Sequence, residues 1–279
     1  MDLTTPSHPF SAITSIAQQI QFPEGPVFTR EGTLWCVEQH GESLIQYTGN
    51  GYKRHHVGGR PNGLATGPDG SLWFCDSGQN AIRTYTPSSG ESRTIVSERD
   101  GLPLQMPNDL TFDQNQQLIF TCPGPDLHPS GYVCALSATG NLVTIAAQLN
   151  YPNGLAFTRT FEQLLIAETG TQQIWIGEWD SLRTQWLNPR VFARTEGGLG
   201  PDGIAFDEHG NLYVAVYGSA SIQVFSPDGQ PRYTITLPGN NPTNCAFDPF
   251  GRHGLIVTEA EKGTLLSLTC DLKGILNPY

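Results

Sequence analysis

Six variants of one short phrase constrain what this chain can fold into. They are "FPEGPVF" from Phe22, "RPNGLAT" from Arg60, "MPNDLTF" from Met106, "YPNGLAF" from Tyr151, "GPDGIAF" from Gly200 and "NPTNCAF" from Asn241. In each, one letter carries a side-chain oxygen: Glu24, Asn62, Asn108, Asn153, Asp202 and Asn244, at intervals of 38, 46, 45, 49 and 42 residues. A period of this size marks the blades of a propeller. Six such units occupy nearly all of the 279 residues.

Within each unit the text continues alike. A short strand leads to an Asp/Pro/Gly turn and then to a second strand rich in Leu, Trp, Tyr and Val, as in "PDGIAFDEHGNLYVAV" and "PNGLATGPDGSLWFCD". Further strands follow, giving about four per unit. The 31 Gly and 21 Pro, with only 15% charged residues, suit many short strands joined by tight turns. The expected fold is all-β: a six-bladed β-propeller with about four antiparallel strands per blade, and 1–279 as a single domain. The stretch "AITSIAQQI" is expected to be an outer strand that joins the blade of the C-terminal "GTLLSLTCDL" and closes the ring.

The net charge of −11 disfavours nucleic acid or an anionic membrane as partner, since both need basic surface. "MDLTTPSHPF" has no secretory n- or h-region, and no apolar run reaches spanning length. The six cysteines form no Cys-x-x-Cys pair and follow strand letters, so buried free thiols are expected. The default is a cytoplasmic monomer or weak oligomer acting on a small molecule.

Equivalent residues on six rotated blades form a ring. With the first strand of each unit innermost, the oxygen letters gather at one mouth of the central channel. Converging carboxylate and amide oxygens are the ligands of a hard divalent cation. Glu24 and Asp202 match its two charges, and the Asn carbonyls add neutral oxygens. Asn or Asp before Gly also starts ordinary turns, which would account for Asn62 and Asn244. It does not account for Glu24.

"FPEGPVF", "PNDLTFD", "YPNGLAF" and "GPDGIAFDEHGNLYVA" resemble the SMP-30/gluconolactonase/luciferin-regenerating-like family of six-bladed propellers, across essentially the whole chain. The resemblance implies lactone hydrolysis with one divalent ion per chain, Ca²⁺ before Zn²⁺, Mn²⁺ or Mg²⁺. By motif it implies Glu24, Asn153 and Asp202 as metal residues, Asn108 as a further ligand or a substrate contact, and Asp202 as the catalytic acid/base. Whether Asp202 or the ion activates the attacking water stays open. Met106 stands where sugar-lactone members often carry an Arg, and Asp126 falls where they carry a second substrate carboxylate. The Met removes hydrogen-bond donors, which points to a small lactone less hydroxylated than a sugar-acid lactone, or to a sugar-acid lactone held by a different loop. Two alternatives stand beside this reading: an esterase or organophosphate hydrolase on the same metal site, and a non-catalytic NHL-like scaffold.

Overall fold

The computed structural model describes residues 9–275. They form six four-stranded antiparallel sheets and one small hairpin, Glu98–Arg99 with Leu102–Pro103. Blade one comprises Pro23–Phe28, Leu34–Glu38, Ser43–Tyr47 and Tyr52–His56. Blades two to five begin at Pro61–Thr66, Leu110–Phe112, Pro152–Phe157 and Gly200–Phe206, and each runs outward in chain order. The six-bladed propeller expected from the repeat is the fold observed.

Blade six is spliced. Pro242–Phe247, Leu255–Glu259 and Thr264–Thr269 come from the C-terminal part of the chain, and Ala12–Ala17 completes the sheet, Ala12 facing Thr269. The N-terminal stretch is thus the outer strand anticipated above. The splice ties the two ends of the described chain together and pairs the outer edge of Thr264–Thr269.

The first strands of successive blades touch one another around the axis, the sixth against the first. The second strands, such as "LWCVE" and "LIVTE", are buried along their whole length. Neighbouring blades cover both of their faces, so they read as unbroken apolar runs rather than as alternation. The outer strands lack such cover, and Tyr52–His56 and Glu91–Val96 are mostly exposed. The core is accordingly divided into six clusters, one at each junction between blades. Trp35 and Tyr213 belong to it, and all six cysteines are buried and free.

The inner strands give the channel a polarity. Each begins beside a proline with its oxygen-bearing residue and, in blades one, three, four, five and six, ends in Phe: Phe28, Phe112, Phe157, Phe206 and Phe247. These rings surround a cavity of about 220 Å³ at the second mouth. The polar mouth holds a cavity of about 370 Å³.

Candidate active site

Register fixes which residues are equivalent. Pro23 faces Glu38, Pro61 faces Asp76, Pro152 faces Glu168 and Pro242 faces Glu259. The residue after each proline is therefore one tier: Glu24, Asn62, Asn108, Asn153, Asp202 and, in blade six, Thr243. The first five line the polar cavity. The sixth position was expected to be Asn244 and is not. "NPTNCAF" carries one residue more between its proline and its asparagine, so Asn244 falls one step deeper. Thr243 is turned to the frame instead, its hydroxyl donating to the Pro23 carbonyl at 2.8 Å.

The next tier reads Gly25, Gly63, Asp109, Gly154, Gly203 and Asn244. Glycine is needed here because the axis is narrow. A Cβ on Gly63 would lie 2.3 Å from Asp109 Oδ1, and one on Gly203 would lie 1.9 Å from Asn244 Oδ1. The two side chains that are present fill the space the glycines leave. Asn244 Nδ2 donates to Glu24 Oε2 at 3.1 Å and to Asp109 Oδ2 at 3.4 Å, joining the two tiers. Asp109 is thus part of the site although it was not anticipated. Its signal was available: aligned on the prolines, it is an acid where four repeats have glycine.

Three buried carboxyls share this axis. Burial raises the Glu24 pKa first, and the Asp109 charge raises it further, to about 8. Burial lifts Asp109 to about 6. Asp202 stands well above the usual carboxylate range through burial, then the charges of Glu24 and Asp109. Three buried anions with no counter-charge oppose one another's ionisation.

The amides complete the picture. Asn62 Oδ1, Asn108 Oδ1 and Asn153 Oδ1 are buried and accept no hydrogen bond. A buried carbonyl without a donor costs about 1–3 kcal/mol, and a cation is one ligand that would answer several such oxygens at once. Among the described residues no three His, Cys, Asp or Glu side chains are placed to hold a metal ion. A cation here would draw on amides of this ring, Asn108 and Asn153, together with Glu24 and Asp202, the all-oxygen set that suits Ca²⁺. The residues present fit such an ion.

Threonines hold the ring in register. Thr121 Oγ1 donates to the Asn153 carbonyl at 2.9 Å, and Thr169 Oγ1 to the Pro201 carbonyl at 2.7 Å. Above the ring, Phe22, Arg60, Met106, Tyr151, Leu127, Leu199 and Tyr217 form the walls. Phe22, Met106 and Tyr151 each precede proline with positive φ, 63°, 52° and 60°. That conformation is strained for non-glycine residues, and the frame holds it. The carbonyls of Phe22 and Tyr151 accept Gln39 N–H and Thr169 N–H, and Met106 N–H donates to Asn80 Oδ1 at 2.9 Å. Met106 and Asp126 both line the cavity. Asp126 is half exposed and lies 3.9 Å from His128.

Comparison with known proteins identifies the family. Residues 22–261 match the SMP-30/gluconolactonase/LRE-like region. A gluconolactonase of Zymomonas mobilis is 29% identical, over 90% of this chain and 78% of that protein. A diisopropyl-fluorophosphatase of Loligo vulgaris is 27% identical over 90% of both. The structure of a calcium-binding regucalcin from Agrobacterium tumefaciens superposes with a TM-score of 0.85 at 20% identity, over 97% of each chain. The match spans every one of the six repeats, and the chain belongs to the SMP-30/gluconolactonase/LRE-like family.

Proposed function

We propose that this protein is a hydrolase that opens a lactone ring, with one divalent cation, Ca²⁺ first, held by Glu24, Asn108, Asn153 and Asp202. The observation that carries the proposal is the pairing of two buried acids with partnerless amide oxygens at the floor of one cavity. A cation bound there supplies charge compensation for the acids and Lewis-acid polarisation of an acyl oxygen. The chain's own groups do the rest. Phe22, Met106, Leu127 and Tyr151 exclude bulk water and shape an apolar seat for the ring. Asp202 takes a proton from the attacking water as its oxygen bonds to the lactone carbonyl carbon. When the ring C–O bond breaks, Asp202 returns that proton to the leaving oxygen, leaving a hydroxy acid.

The same floor would serve a phosphoester, and the Loligo phosphatase, similar over 90% of both chains, keeps that as the second reading. Met106 in place of a donor favours lactones with few hydroxyls. The buried thiols suit a reducing compartment, and cytoplasmic action on a small molecule is part of the proposal. No described helix is long and apolar enough to cross a membrane. The test is a panel of lactones, aryl esters and a fluorophosphate, assayed on chelator-treated and cation-restored protein. Lactone hydrolysis that vanishes with chelation and returns with the ion is expected. Activity confined to the fluorophosphate selects the second reading, and inactivity on all three removes both.

A further inference from the structure

The cavity wall contains one group that the reaction above does not use. Among the described residues lining the polar cavity Arg60 is the single cation, beside the acids Glu24, Asp126 and Asp202. No carboxylate lies within ion-pair distance of it among the described residues. Its guanidinium donates only to neutral partners, Gln39 Oε1 at 3.1 Å and, at 3.4 Å, His40 Nε2. In a chain with 26 acidic and 15 basic residues, an unpaired guanidinium at a cavity mouth is itself a choice. The other arginines nearby are spent on acids: Arg54 on Glu38 and Arg83 on Asp76.

Arg60 is also held in place. Its amide N–H donates to Asp76 Oδ1 at 2.9 Å, and its carbonyl accepts Ser77 N–H. Asp76 is fully buried and braced by Gly78, Gln79 and Arg83. The stem of Arg60 lies against Gly78. Two residues on, Asn62 reaches the floor of the same cavity with its carbonyl oxygen unpaired. Tyr151 lines the same cavity as Arg60 and Asp202. A ligand in this cavity therefore has the ring of oxygens at its floor and, at its wall, an exposed guanidinium that no carboxylate answers.

We propose that Arg60 selects a substrate that carries a carboxylate at the end remote from its reacting acyl group. This rests on the hydrolase reading of the same cavity. A planar fork of donors matches a carboxylate in two parallel hydrogen bonds. A phosphate dianion suits the cavity less, because Asp126 and the floor acids would repel its second charge. The substrate class is thus a compact lactone with one pendant carboxylate, its body against Phe22, Met106 and Tyr151.

The test compares a carboxy-substituted five-membered lactone with its methyl ester, which keeps the shape and removes the charge. Both are measured on the native protein and on Arg60→Gln and Arg60→Lys, with divalent cation present. The native protein is expected to prefer the acid, and that preference should fall with added salt. Arg60→Gln should lower kcat/KM for the acid relative to the ester by about tenfold, the scale of a charge-assisted hydrogen bond. Arg60→Lys should recover part of the ratio, since charge survives and the fork does not. Equal handling of acid and ester by the native protein overturns the proposal, as does an unchanged ratio in Arg60→Gln. A parallel calorimetric titration with the ring-opened dicarboxylate keeps the two readings separable. Binding that weakens in Arg60→Gln without turnover of any lactone upholds the anion site and rejects the lactonase, whereas binding indifferent to Arg60 rejects the site.

Discussion

The molecule buries carboxylates in two neighbouring regions and treats them in opposite ways. At the ends of the second strands stand Glu38, Asp76, Glu168 and Glu259, all buried. Each accepts the backbone N–H at the entrance to its own blade: Gln21, Arg60, Asn150 and Asn241, at 2.7 to 3.0 Å. Each then finds further donors. Arg54 serves Glu38, Arg83 serves Asp76, Trp175 Nε1 serves Glu168, and Lys262 N–H serves Glu259. Toward the axis, Glu24, Asp109 and Asp202 oppose one another's ionisation beside three amide oxygens that accept nothing. The outer acids are brackets whose charge the fold has already answered. The inner acids are left for something that is not part of the chain. A buried charge of either kind is expensive, and only the partners reveal whether the protein or a ligand compensates it.

Substitution should separate the two regions sharply. The largest effect is expected at the axis. Asp202→Asn and Glu24→Gln should each lower hydrolysis by about 10³-fold, within the range for losing a positioned acid/base or its electrostatic support. Calorimetry should show divalent-ion binding lost in both. The cation-free variants should be no less stable than the cation-free native protein, because each removes a repelling charge. At the brackets the pattern reverses. Asp76→Ala should cost about 3 kcal/mol in denaturant unfolding, since it strands the buried Arg83 guanidinium and three backbone N–H groups. Its ion affinity should stay within a few-fold of native. Axial variants that destabilise the cation-free chain as much as Asp76→Ala would end the distinction.

Much of this was legible before any coordinates. The repeated phrase carried the blade count and five of the six mouth residues, and "AITSIAQQI" carried the splice of the N-terminal strand. What it could not carry was depth. Matching by residue type put Asn244 on the ring, whereas strand register puts Thr243 there and sends Asn244 inward. Asp109 sat in plain view beside Asn108 in "MPNDLTF". Its importance depends on the glycines of other blades, which make room for it, and that is a relation between strands far apart in sequence. The bracket acids were visible as the last letter of "LWCVE", "LWFCD", "LLIAE" and "LIVTE". That they turn back onto the preceding loop, and that Cys122 and Val216 take their place in blades three and five, follows only from pairing.

pH tests the same comparison at smaller amplitude. Glu24 titrates near 8 and Asp109 near 6 in the cation-free fold, against ordinary values of 4.5 and 3.8. A carboxyl whose folded pKa is raised contributes stability that is complete below its unfolded pKa and is lost as pH rises through the folded one. The cation-free protein should therefore lose stability as pH rises between about 3.8 and 8, with a ceiling of about 5 kcal/mol from Glu24 alone at 1.36 kcal/mol per unit, reduced by coupling among the acids. Urea unfolding at pH 5 and pH 8 measures it. Added Ca²⁺ should abolish the loss in the native protein and not in Glu24→Gln. A cation-free chain equally stable at both pH values would mean that the axial acids are already compensated, as the brackets are.

The smallest and most selective effects are expected among the amides. Asn62, Asn108 and Asn153 share one condition, a buried carbonyl oxygen with no donor, yet they need not share one role. Asn153 also donates through Nδ2 to Thr169 Oγ1 at 3.3 Å, which fixes the plane of its amide and aims its oxygen. Thr169 in turn holds the Pro201 carbonyl, directly before Asp202. Asn153 is thus braced together with an axial acid, as a cation ligand should be. Asn62 has no side-chain hydrogen bond of that kind and follows Arg60 by two residues, so its oxygen belongs with the substrate end of the cavity. Asn153→Ala should weaken ion binding about tenfold, or 1.4 kcal/mol, the scale of one hydrogen bond to a charged group. Asn62→Ala should change ion affinity by less than about threefold, within the spread of a neutral contact, while raising KM. Equal loss of ion affinity in both variants would make Asn62 a ligand too. Ion affinity untouched in both would show that the amide oxygens serve the turns, and that the axial acids alone hold the cation.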